Sequence, residues 1–581
     1  MRFRRAAFLI LFSLPYFTLF AQVTVNDSNY IYIDSIYIYA DSPINLKTTT
    51  SHIYLRNNAQ LLQSVTNGDE NTGLGSLSLY QTSNVSEYGF NYWCSPVGNN
   101  SINTNINNPF FLTLLGDPDS SVNILDYAPA SFTTSNEGTN NPLVIAKRWI
   151  YTFESEGGAN SSWNFIGETK DIKPGLGFTM KGTIGSGNSQ VYEFRGKPNS
   201  GSISNAVLEG KSTLIGNPYP SGIDAHSFIH DADNIAAIDG TLYFWEQDLS
   251  VLSHFTEDYV GGYATYTISS DELTETFIPA PFKTYNQDGT INTAGNGTGS
   301  KITRRHLSIG QGFMVNGKSG TSGTVMAKNS HRVYTNTLET PNPFFKTAKK
   351  QNDFSSAYMR FRINIDFDDV YTRQLVHNFN QEATDGFDYG LESLLANQLS
   401  NDAYWVQNEQ AYVAQASSYN KDLSIPIVVN VASNLSLGFR LFGVQNFNSQ
   451  QHIYLLDNET NMYYNLSSQN VLLSLEAGLY RDRFEIRFQS NPLSAGNEDL
   501  ENSGLVAFFE NELSEIKISN KKANVINKIF LYNINGIKVF SKNLKTQDEL
   551  INIPVSHLSK GVYFLQCFTE TKMANFKLMV E

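Results

Sequence analysis

Five aspartates in two short stretches have the chemistry of a calcium site. Asp366, Asp368 and Asp369 occur in IDFDDVY, and Asp385 and Asp388 occur in TDGFDYG. Calcium prefers hard oxygen ligands such as these carboxylates. Neither stretch has the Asp-x-Asp-x-Asp-Gly pattern of a calcium loop, so ordinary turn carboxylates are the alternative interpretation. A structural calcium ion is thus the only cofactor that the sequence suggests.

Two other stretches match the residue patterns of binding motifs but lack other features that those motifs require. Residues Gly312 to Ser319, GFMVNGKS, fit the phosphate-loop expression, but apolar residues fill the loop and no helix is predicted after it. His226 and His230 are four residues apart, with Asp231 and Asp233 just beyond. On a helix the two imidazoles would share a face and form half of a zinc site, but no third ligand is evident. A single exposed helical turn is the alternative for the histidines.

No catalytic residue can be assigned from the sequence. It has no Gly-x-Ser-x-Gly elbow and no cysteine beside a histidine suited to activating it. The 55 acidic residues offer so many possible carboxylate pairs that the sequence singles out none for glycoside cleavage. Five tryptophans could include a platform that stacks on sugars, although strand aromatics more often pack in cores or across strands. They are Trp93, Trp149, Trp163, Trp245 and Trp405.

Composition indicates exposed β-structure and argues against a nucleic-acid partner. The net charge of −14 comes from acidic residues spread along the chain, whereas phosphate binding requires clustered Lys and Arg. Charged residues make up only 17%, too few for long amphipathic helices. The two cysteines, Cys94 and Cys567, lie far apart, which excludes a disulfide scaffold.

Residues 22–90 are predicted to form an N-terminal β segment. The stretch NYIYIDSIYIYAD alternates its side chains with a period of two residues, which is typical of a strand. The strand-like stretches SHIYLRNNAQLLQ and GSLSLYQTS follow. The short, regularly spaced strands indicate a stacked β-coil or an open sheet edge, and the alternative is that they are simply the first strands of the next domain.

Residues 91–200 and 201–335 are predicted to be two halves of one β-module. NYWCSPVG, RWIYTFE and IKPGLGFTMKG in the first half correspond to TLIGNPYPSGID, LYFWEQ and LSIGQGFMVNG in the second. Each half therefore has a proline turn, an aromatic strand and a Gly-x-Gly-Phe strand. The unequal spacings favour a diverged duplication with loop insertions. Chance similarity between two β-rich stretches is the alternative.

The following residues divide into a linker, a β-sandwich and a second linker. Residues 336–353 are rich in Pro, Asn and Lys and are predicted to be a linker. Residues 354–489 are predicted to be a β-sandwich, with a hairpin turning at 458–461. Within it GLESLLANQLS, residues 390–400, is the best helix candidate. The acidic, polar residues 490–503 are predicted to be an exposed tether.

Residues 504–581 are predicted to form a small Greek-key β-sandwich. KIFLYNINGIKVF is two apolar runs separated by Asn535-Gly536, the dipeptide that best supplies the two positive φ values of a tight hairpin. GVYFLQCF is apolar on both faces, as expected of a central strand. In LINIPV and NFKLMV alternate apolar residues share one face.

These stretches resemble the C-terminal sorting domain of the type IX secretion system, the Por system of Bacteroidetes. The resemblance rests on LYNINGIKVF, IPVSHLSKGVYFLQ and NFKLMVE, and the chain departs from the family pattern at Lys560, Cys567 and Glu581. It implies export across the outer membrane by the type IX translocon and sorting machinery. The residues that match the motif are Asn535, Gly536, Val539, Val555, Leu558, Gly561, Val562, Tyr563 and Phe564.

Parts of the preceding chain resemble a module that recurs in Bacteroidetes secreted proteins with this sorting domain. The matching stretches are YWCSPVG, GNPYPSGIDAHSFI and GQGFMV, with Cys94 where serine is commoner. Residues 354–489 resemble a β-sandwich that precedes the sorting domain in such proteins. Neither resemblance supplies a catalytic residue.

The N-terminus has the pattern of an export signal. Arg2, Arg4 and Arg5 precede an apolar run that is too short to span a bilayer comfortably. Cleavage after Ala21 is predicted, so residues 1–21 would be a signal peptide. No later apolar run is long enough for a transmembrane helix.

The sequence thus predicts an all-β protein with several sandwich-like domains in series, exported to the cell surface or medium. The predicted role is adhesin-like and non-catalytic, that is, adhesion, surface structure or binding of a glycan or another surface partner. A secreted carbohydrate-binding or carbohydrate-degrading protein is the alternative.

Overall fold

The structure is a computed structural model that describes residues 23–64, 71–118, 123, 125–155, 162–186, 189–287, 290–335, 358–396, 398–490, 504–510, 513–534, 536–555, 558–569 and 573–580. Regular structure in these residues is almost entirely β-strand, with two short α-helices, which confirms the predicted all-β fold. The chain divides into two compact units, Met1–Phe244 with Ile302–Gln351 and Trp245–Lys301 with Asn352–Glu581.

The first described residues form a parallel β-coil of three rungs. Strands β2, β5 and β8 stack in parallel, with Tyr30 opposite His52 and His52 opposite Ser76. Strands β1, β4 and β7 stack likewise, as do β3 and β6. The strands thus stack as a coil, and they also begin the next part of the fold, since β8 pairs with the later strand β18 (Gln190–Pro198). Its strands are β1 (Thr24–Val25), β2 (Tyr30–Asp34), β3 (Tyr37–Ala40), β4 (Asn45–Leu46), β5 (His52–Arg56), β6 (Gln60–Gln63), β7 (Thr72–Gly73) and β8 (Ser76–Ser83).

The period-two pattern of the sequence explains the coil. Ile33 and Leu55, which lie opposite each other on adjacent rungs, are only 8% and 1% exposed and belong to one core. Tyr30 and Tyr32 on the same first strand are 55% and 40% exposed. Because successive side chains of a strand point to opposite faces, the first rung places aliphatic residues inside and tyrosines outside.

The first unit continues from the coil into a set of antiparallel strands. Strand β18 pairs with β8, so one sheet runs in the order β10-β18-β8-β5-β2. Its further elements up to the unit boundary are β9 (Phe90–Cys94), β10 (Val97–Gly98), β11 (Leu115–Gly116), β12 (Ser131–Thr133), β13 (Thr139–Asn140), β14 (Leu143–Ala146), β15 (Tyr151–Glu154), β16 (Ser162–Phe165), β17 (Gly177–Lys181), β18 (Gln190–Pro198), β19 (Ile203–Val207), β20 (Ser212–Gly216), β21 (Gly222–Asp224), α1 (Ala225–Ile229), α2 (Ala232–Ala237) and β22 (Ile238–Gln247), at whose end the second unit begins.

Eight strands follow before the long linker. The first four belong to the second unit: β23 (Val260–Ile268), β24 (Glu275–Ile278), β25 (Pro281–Tyr285) and β26 (Ile291–Thr298). The next four belong to the first unit: β27 (His306–Leu307), β28 (Gly312–Gly317), β29 (Gly323–Ala327) and β30 (Arg332–Val333).

Two antiparallel pairs in the first unit repeat one arrangement. β9 pairs with β17, and β20 pairs with β28. The Cys94 N–H donates to the Gly310 carbonyl at 2.8 Å, and the Gly216 N–H donates to the Gly175 carbonyl at 3.2 Å. Each proline-turn strand therefore bonds to the Gly-x-Gly-Phe segment of the other half. A duplicated module would produce this exchange, which supports the duplication as a proposal.

The large sheet of the second unit follows the linker. Its strands are β31 (Met359–Phe367), β32 (Tyr371–Phe379), β33 (Ser393–Leu394), β34 (Asp402–Gln407), β35 (Gln410–Ser417), β36 (Ser424–Val431), β37 (Leu435–Gln445), β38 (Tyr454–Asp457), β39 (Met462–Asn465), β40 (Val471–Leu475) and β41 (Gly478–Arg487). They pair in the order β39-β38-β41-β36-β34-β35-β32-β31-β37-β40, around a core that includes Phe361, Trp405 and Phe484. The predicted hairpin is present, since β38 pairs with β39 across residues 458–461.

Residues 245–301, which the sequence assigned to the module's second half, lie in the second unit. The Arg362 guanidinium donates to the Phe277 carbonyl at 2.7 Å, and the Ser400 N–H donates to the Thr293 carbonyl at 2.9 Å. The predicted domain boundaries themselves stay predictions.

The predicted helix at residues 390–400 is wrong. Ser393–Leu394 instead forms β33, which pairs with β35. The buried Glu392 carboxylate accepts the backbone N–H groups of Asp388 and Ala416, each at 3.0 Å. Strand pairing and these buried hydrogen bonds override the helix-like spacing of the leucines.

The last strands form two antiparallel sheets around one small core. The sheet orders are β42-β43-β46 and β45-β44-β47-β48. The strands are β42 (Leu505–Glu510), β43 (Glu515–Asn520), β44 (Ile526–Asn533), β45 (Lys538–Thr546), β46 (Leu550–Pro554), β47 (Gly561–Thr569) and β48 (Met573–Val580). This two-layer arrangement agrees with the predicted C-terminal sandwich.

Candidate functional site

Several C-terminal motif residues contact one core. Val555 is buried, and Tyr563 is 7% exposed, with its hydroxyl donating to the Ser559 carbonyl at 2.8 Å. Leu558 and Val539 are half-buried and pack against the same cluster. These motif residues therefore belong to the core that the two sheets of the C-terminal domain share.

The strand β47 carries the rest of the block. It lies between β44 and β48, and its residues Gly561, Val562 and Phe564 pair with Val580, Met579 and Lys577. Burial raises the pKa of the Cys567 thiol on the same strand to about 12. A thiol held protonated in this way is a core residue and a poor nucleophile.

The hairpin between β44 and β45 is present where the sequence predicts it. Tyr532 pairs with Lys538 across the turn, and Gly536 has a φ of +76°. A glycine tolerates this left-handed conformation without steric cost. Asn535 lies outside the described residues.

Three of the five candidate calcium ligands, Asp366, Asp368 and Asp388, accept local hydrogen bonds through their carboxylates. Asp368 and Asp369 form the turn between β31 and β32 with φ values of 50° and 55°, a conformation that aspartate tolerates. Asp366 accepts from Arg440 Nη2 at 2.8 Å and from the Thr372 hydroxyl at 2.6 Å. Burial raises the pKa of Asp366, but these hydrogen bonds outweigh burial and leave the pKa below its ordinary value.

The other two candidates lie in the loop after β32. The Asp388 carboxylate accepts the Thr384 N–H at 2.8 Å and the Thr384 hydroxyl at 2.9 Å, and the Asp385 carbonyl accepts from Asn408. In the described part of the chain no group of three or more His, Cys, Asp or Glu is placed to hold a metal ion. A structural calcium ion stays a prediction, which a comparison of melting temperatures with calcium and with EDTA would test.

The phosphate-loop stretch is a strand. Residues 312–317 form β28, paired with β20 and β22, so their backbone donors are used in a sheet. His226 lies in α1 and His230 directly follows it, their rings 4.7 Å apart. Asp231 pairs with Lys328 at 2.8 Å and with His331 at 3.2 Å. These contacts hold the short helices in place.

Trp163 is the most exposed of the five tryptophans. Trp93 and Trp405 are fully buried. Trp163 on β16 is 44% exposed and contacts Phe153 and Tyr92, with ring centroids 4.8 and 5.9 Å apart. Phe165 on the same strand is 46% exposed. Trp163 and Phe165 therefore offer ring faces to solvent.

A tyrosine face on the coil is the feature that sequence reasoning missed. The first rung exposes Tyr30, Tyr32, Tyr37 and Tyr39 by 55%, 40%, 49% and 56%, and Ile36 by 63%. The alternation of YIYID and YIYA contained this signal. What the alternation cannot show is that, among the described strands, this rung ends the stack and no strand pairs with its outer side.

Charged side chains lie on the strands that follow β2 in the same sheet, namely β5 and β18. The Arg56 guanidinium is 3.9 Å from the ring centroid of Tyr80 and 5.3 Å from that of Tyr54. The buried Glu193 carboxylate accepts from Arg195 Nε at 2.7 Å. The cation–π contacts favour the observed positions of the Tyr54 and Tyr80 rings, which lie on the second and third rungs.

The comparison with protein families first gives the class of the protein. Residues 512–581 match the family model described as "Secretion system C-terminal sorting domain". The protein is therefore sorted by the type IX secretion system, interacts with that machinery, and is secreted to the cell surface or the extracellular space. Among the described helices none is long and apolar enough to cross a membrane.

A second match covers most of the passenger, that is, of the residues that precede the sorting domain. Residues 118–488 match the family model described as "Domain of unknown function (DUF8693)". Because this match spans more than half of the chain, the protein belongs to that family. No curated protein matches the chain.

One solved structure, "Biofilm associated protein - BSP domain", aligns with 74% of this chain and 87% of its own, at 8% identity and a TM-score of 0.11. A TM-score this low supports no statement about fold or function.

Proposed function

We propose that this protein is a Bacteroidetes adhesin-like passenger that binds a surface ligand without catalysing a reaction. The tyrosine face of the coil, defined as Tyr30, Tyr32, Tyr37 and Tyr39, is its contact surface. A cleavable signal peptide ending at Ala21 is part of this proposal, and it lies outside the described residues.

One observation carries the proposal. Four tyrosines of one rung point outward from the coil and are 40–56% exposed. Large exposed aromatic patches mark interaction sites, and tyrosine binds at low entropic cost because it has few rotatable bonds. The parallel hydrogen bonding of β2 to β5 and of β3 to β6 keeps the rings in register before a ligand arrives.

Retention of protein-coated beads on glycan-coated, protein-coated and mineral surfaces tests this proposal. We expect the variant Tyr37→Ala/Tyr39→Ala to lose retention on the surface that the wild type binds. Phe442→Ala, which removes a ring that is 54% exposed on β37, is the matched control and should retain binding. Equal retention of the wild type and the tyrosine variant on every surface would overturn the proposal.

A carbohydrate-binding or carbohydrate-degrading role is the second candidate, favoured by Trp163 and Phe165. Their half-exposed rings on β16 are suited to stacking on sugar faces. A glycan array with the wild type, Trp163→Ala/Phe165→Ala and the coil variant Tyr37→Ala/Tyr39→Ala separates the two candidates. The coil variant leaves strand β16 intact, so each variant alters only one of the two surfaces. Release of reducing sugar from the bound glycan would indicate the degrading activity. Glycan binding that survives in the Trp163→Ala/Phe165→Ala variant would exclude this surface.

A further inference from the structure

The first rung of the coil ends in an open strand edge. Among the strands that the structure describes, β2 is the last of its sheet, and β1 and β3 are the last of theirs. A strand edge has unpaired N–H and C=O groups, which makes it a template for another strand.

The direction of these groups follows from the bonds on the inner side of β2. The Asn29 carbonyl accepts from the His52 N–H at 3.1 Å, and the Ser35 N–H donates to the Arg56 carbonyl at 3.2 Å. In a parallel ladder every second residue uses its N–H and C=O on the same side. The backbone groups at positions 30, 32 and 34, which alternate with these, therefore face the open edge.

The charge on this rung has one sign. Between Val23 and Leu46 the only charged residues are Asp27, Asp34 and Asp41, and all three are exposed. A second copy of the same rung would bring acidic groups against acidic groups, which is unfavourable. Charge complementarity therefore favours a basic partner.

The inner neighbour of β2 shows what such a partner looks like. On β5, Arg56 lies opposite Asp34, and His52 lies opposite Tyr30. The strand that β2 already pairs with is thus extended and aliphatic on its inner side, and a basic residue is the register partner of Asp34, although the Arg56 guanidinium itself donates to Ser78.

We propose that the open edge of β2 binds an extended, basic segment of another polypeptide, which adds a parallel strand to the coil through main-chain hydrogen bonds. Binding by strand addition takes its affinity from the backbone and its selectivity from alternate side chains. The partner's basic residue lies beside Asp34. This surface is distinct from the tyrosine face, because it depends on the backbone of β2 and not on the rings.

The probe is a fluorescein-labelled peptide with the sequence of residues 51–58, SHIYLRNN, which contains β5. Fluorescence anisotropy measures its binding to the mature chain beginning at Gln22, the predicted N-terminus after cleavage. We expect saturable binding by the wild type. The same peptide with Leu55→Pro is the control, because proline removes a backbone donor and breaks strand pairing.

Two substitutions of Tyr32 distinguish binding by the backbone edge of β2 from binding by the tyrosine face. Tyr32→Pro removes an N–H that faces the open edge, a place where an edge strand tolerates proline, and should weaken peptide binding about tenfold. Tyr32→Ala keeps the N–H and should bind the peptide like the wild type, although it removes a ring of the tyrosine face. Asp34→Asn should weaken binding about two- to fivefold, the usual contribution of an exposed ion pair.

Hydrogen exchange of the wild-type chain gives a second measurement should Tyr32→Pro fail to fold. The amides of Tyr30, Tyr32 and Asp34 should become protected when the peptide is added, and those of Phe442 should not change. The absence of protection would overturn the proposal and identify the three aspartates as groups that keep the edge unpaired. A chain that is dimeric without the peptide, and whose dimer dissociates in Tyr32→Pro, would also overturn it and identify a second copy as the occupant.

Discussion

Asp239 on β22 is a buried carboxyl group whose nearest polar contacts are neutral. It accepts the Tyr243 hydroxyl at 2.7 Å and the Thr241 N–H at 3.0 Å. Burial raises its pKa to about 6, and the hydrogen bonds offset only part of that effect. The folded chain therefore retains this proton at pH values where the unfolded chain has lost it.

We expect this group to make the chain less stable as the pH rises from about 4 to about 6. Because the folded pKa is the higher one, the stabilisation is complete below the unfolded pKa and is lost as the pH passes the folded pKa. The loss amounts to at most about 3 kcal/mol for a shift of about two units. Melting temperatures across this range check it. Asp239→Asn has one amide oxygen that can accept the Thr241 N–H and an amide nitrogen that can donate to the Tyr243 hydroxyl. It should remove this part of the pH dependence, and an unchanged profile would contradict the assignment.

Asp402 and Arg373 form an ion pair inside the second unit. Their side chains are 0% and 4% exposed, and Arg373 Nε lies 2.7 Å from the carboxylate. Asp402→Ala would leave the guanidinium buried without its partner, which costs about 3–5 kcal/mol. Chemical unfolding of the second unit measures this loss. Asp422→Ala, at an exposed carboxylate, should change stability by less than about 0.5 kcal/mol; equal effects would show that the pair contributes little.

At the scale of elements, the crossing of the two strand pairs depends on glycines. A Cβ atom at Gly312 would lie 2.7 Å from the Tyr92 carbonyl carbon, and one at Gly177 would lie 2.8 Å from the Ile215 carbonyl oxygen. Both contacts are with backbone, which cannot move aside easily. The two glycines occupy matching places in the Gly-x-Gly-Phe strands of the two halves.

We therefore expect Gly312→Ala and Gly177→Ala to destabilise the first unit by similar amounts, about 1–3 kcal/mol each. Thermal unfolding of the full chain checks this. Gly443→Ala on β37, where a Cβ would meet nothing within 4 Å, is the matched control and should be tolerated. A large effect at only one of the two glycines would count against the duplication.

Local signals predicted elements well where the chain pairs with its close neighbours. The Asn535-Gly536 hairpin and the turn at residues 458–461 both join adjacent strands, so turn chemistry and alternation suffice to find them. The helix predicted at residues 390–400 was wrong because β33 takes its partner from β35, farther along the chain. The bridge between Trp93 and Gln311 joins two distant segments and leaves no local signal at all.

The candidate surfaces also show that local sequence signals do not predict which residues are exposed. The tyrosines of the first rung were visible in the sequence as an alternating run, but their exposure follows from the position of that rung as the last of the described stack. Trp93 and Trp163 look equivalent in sequence. Packing buries the first completely and leaves the second 44% exposed.

At the scale of the whole molecule, the sorting domain and the surface proposed to bind a ligand belong to different parts of the chain. The sorting domain has its own two-sheet core. The coil has its core within the first unit. Each part can therefore be altered while the other keeps its fold, and this independence makes the export route testable apart from the ligand.

Deletion of residues 504–581 should leave the passenger in the periplasm, because the sorting machinery recognises the removed domain. Fractionation into periplasm, outer membrane and medium, with detection of a tag in the passenger, measures the distribution. A chain with Tyr37→Ala/Tyr39→Ala and an intact C-terminus is the control, and it should be exported although its tyrosine face is altered. Recovery of the truncated passenger outside the cell in the full amount would mean that another segment directs export, and the role given to Gly561, Tyr563 and their neighbours would have to be abandoned.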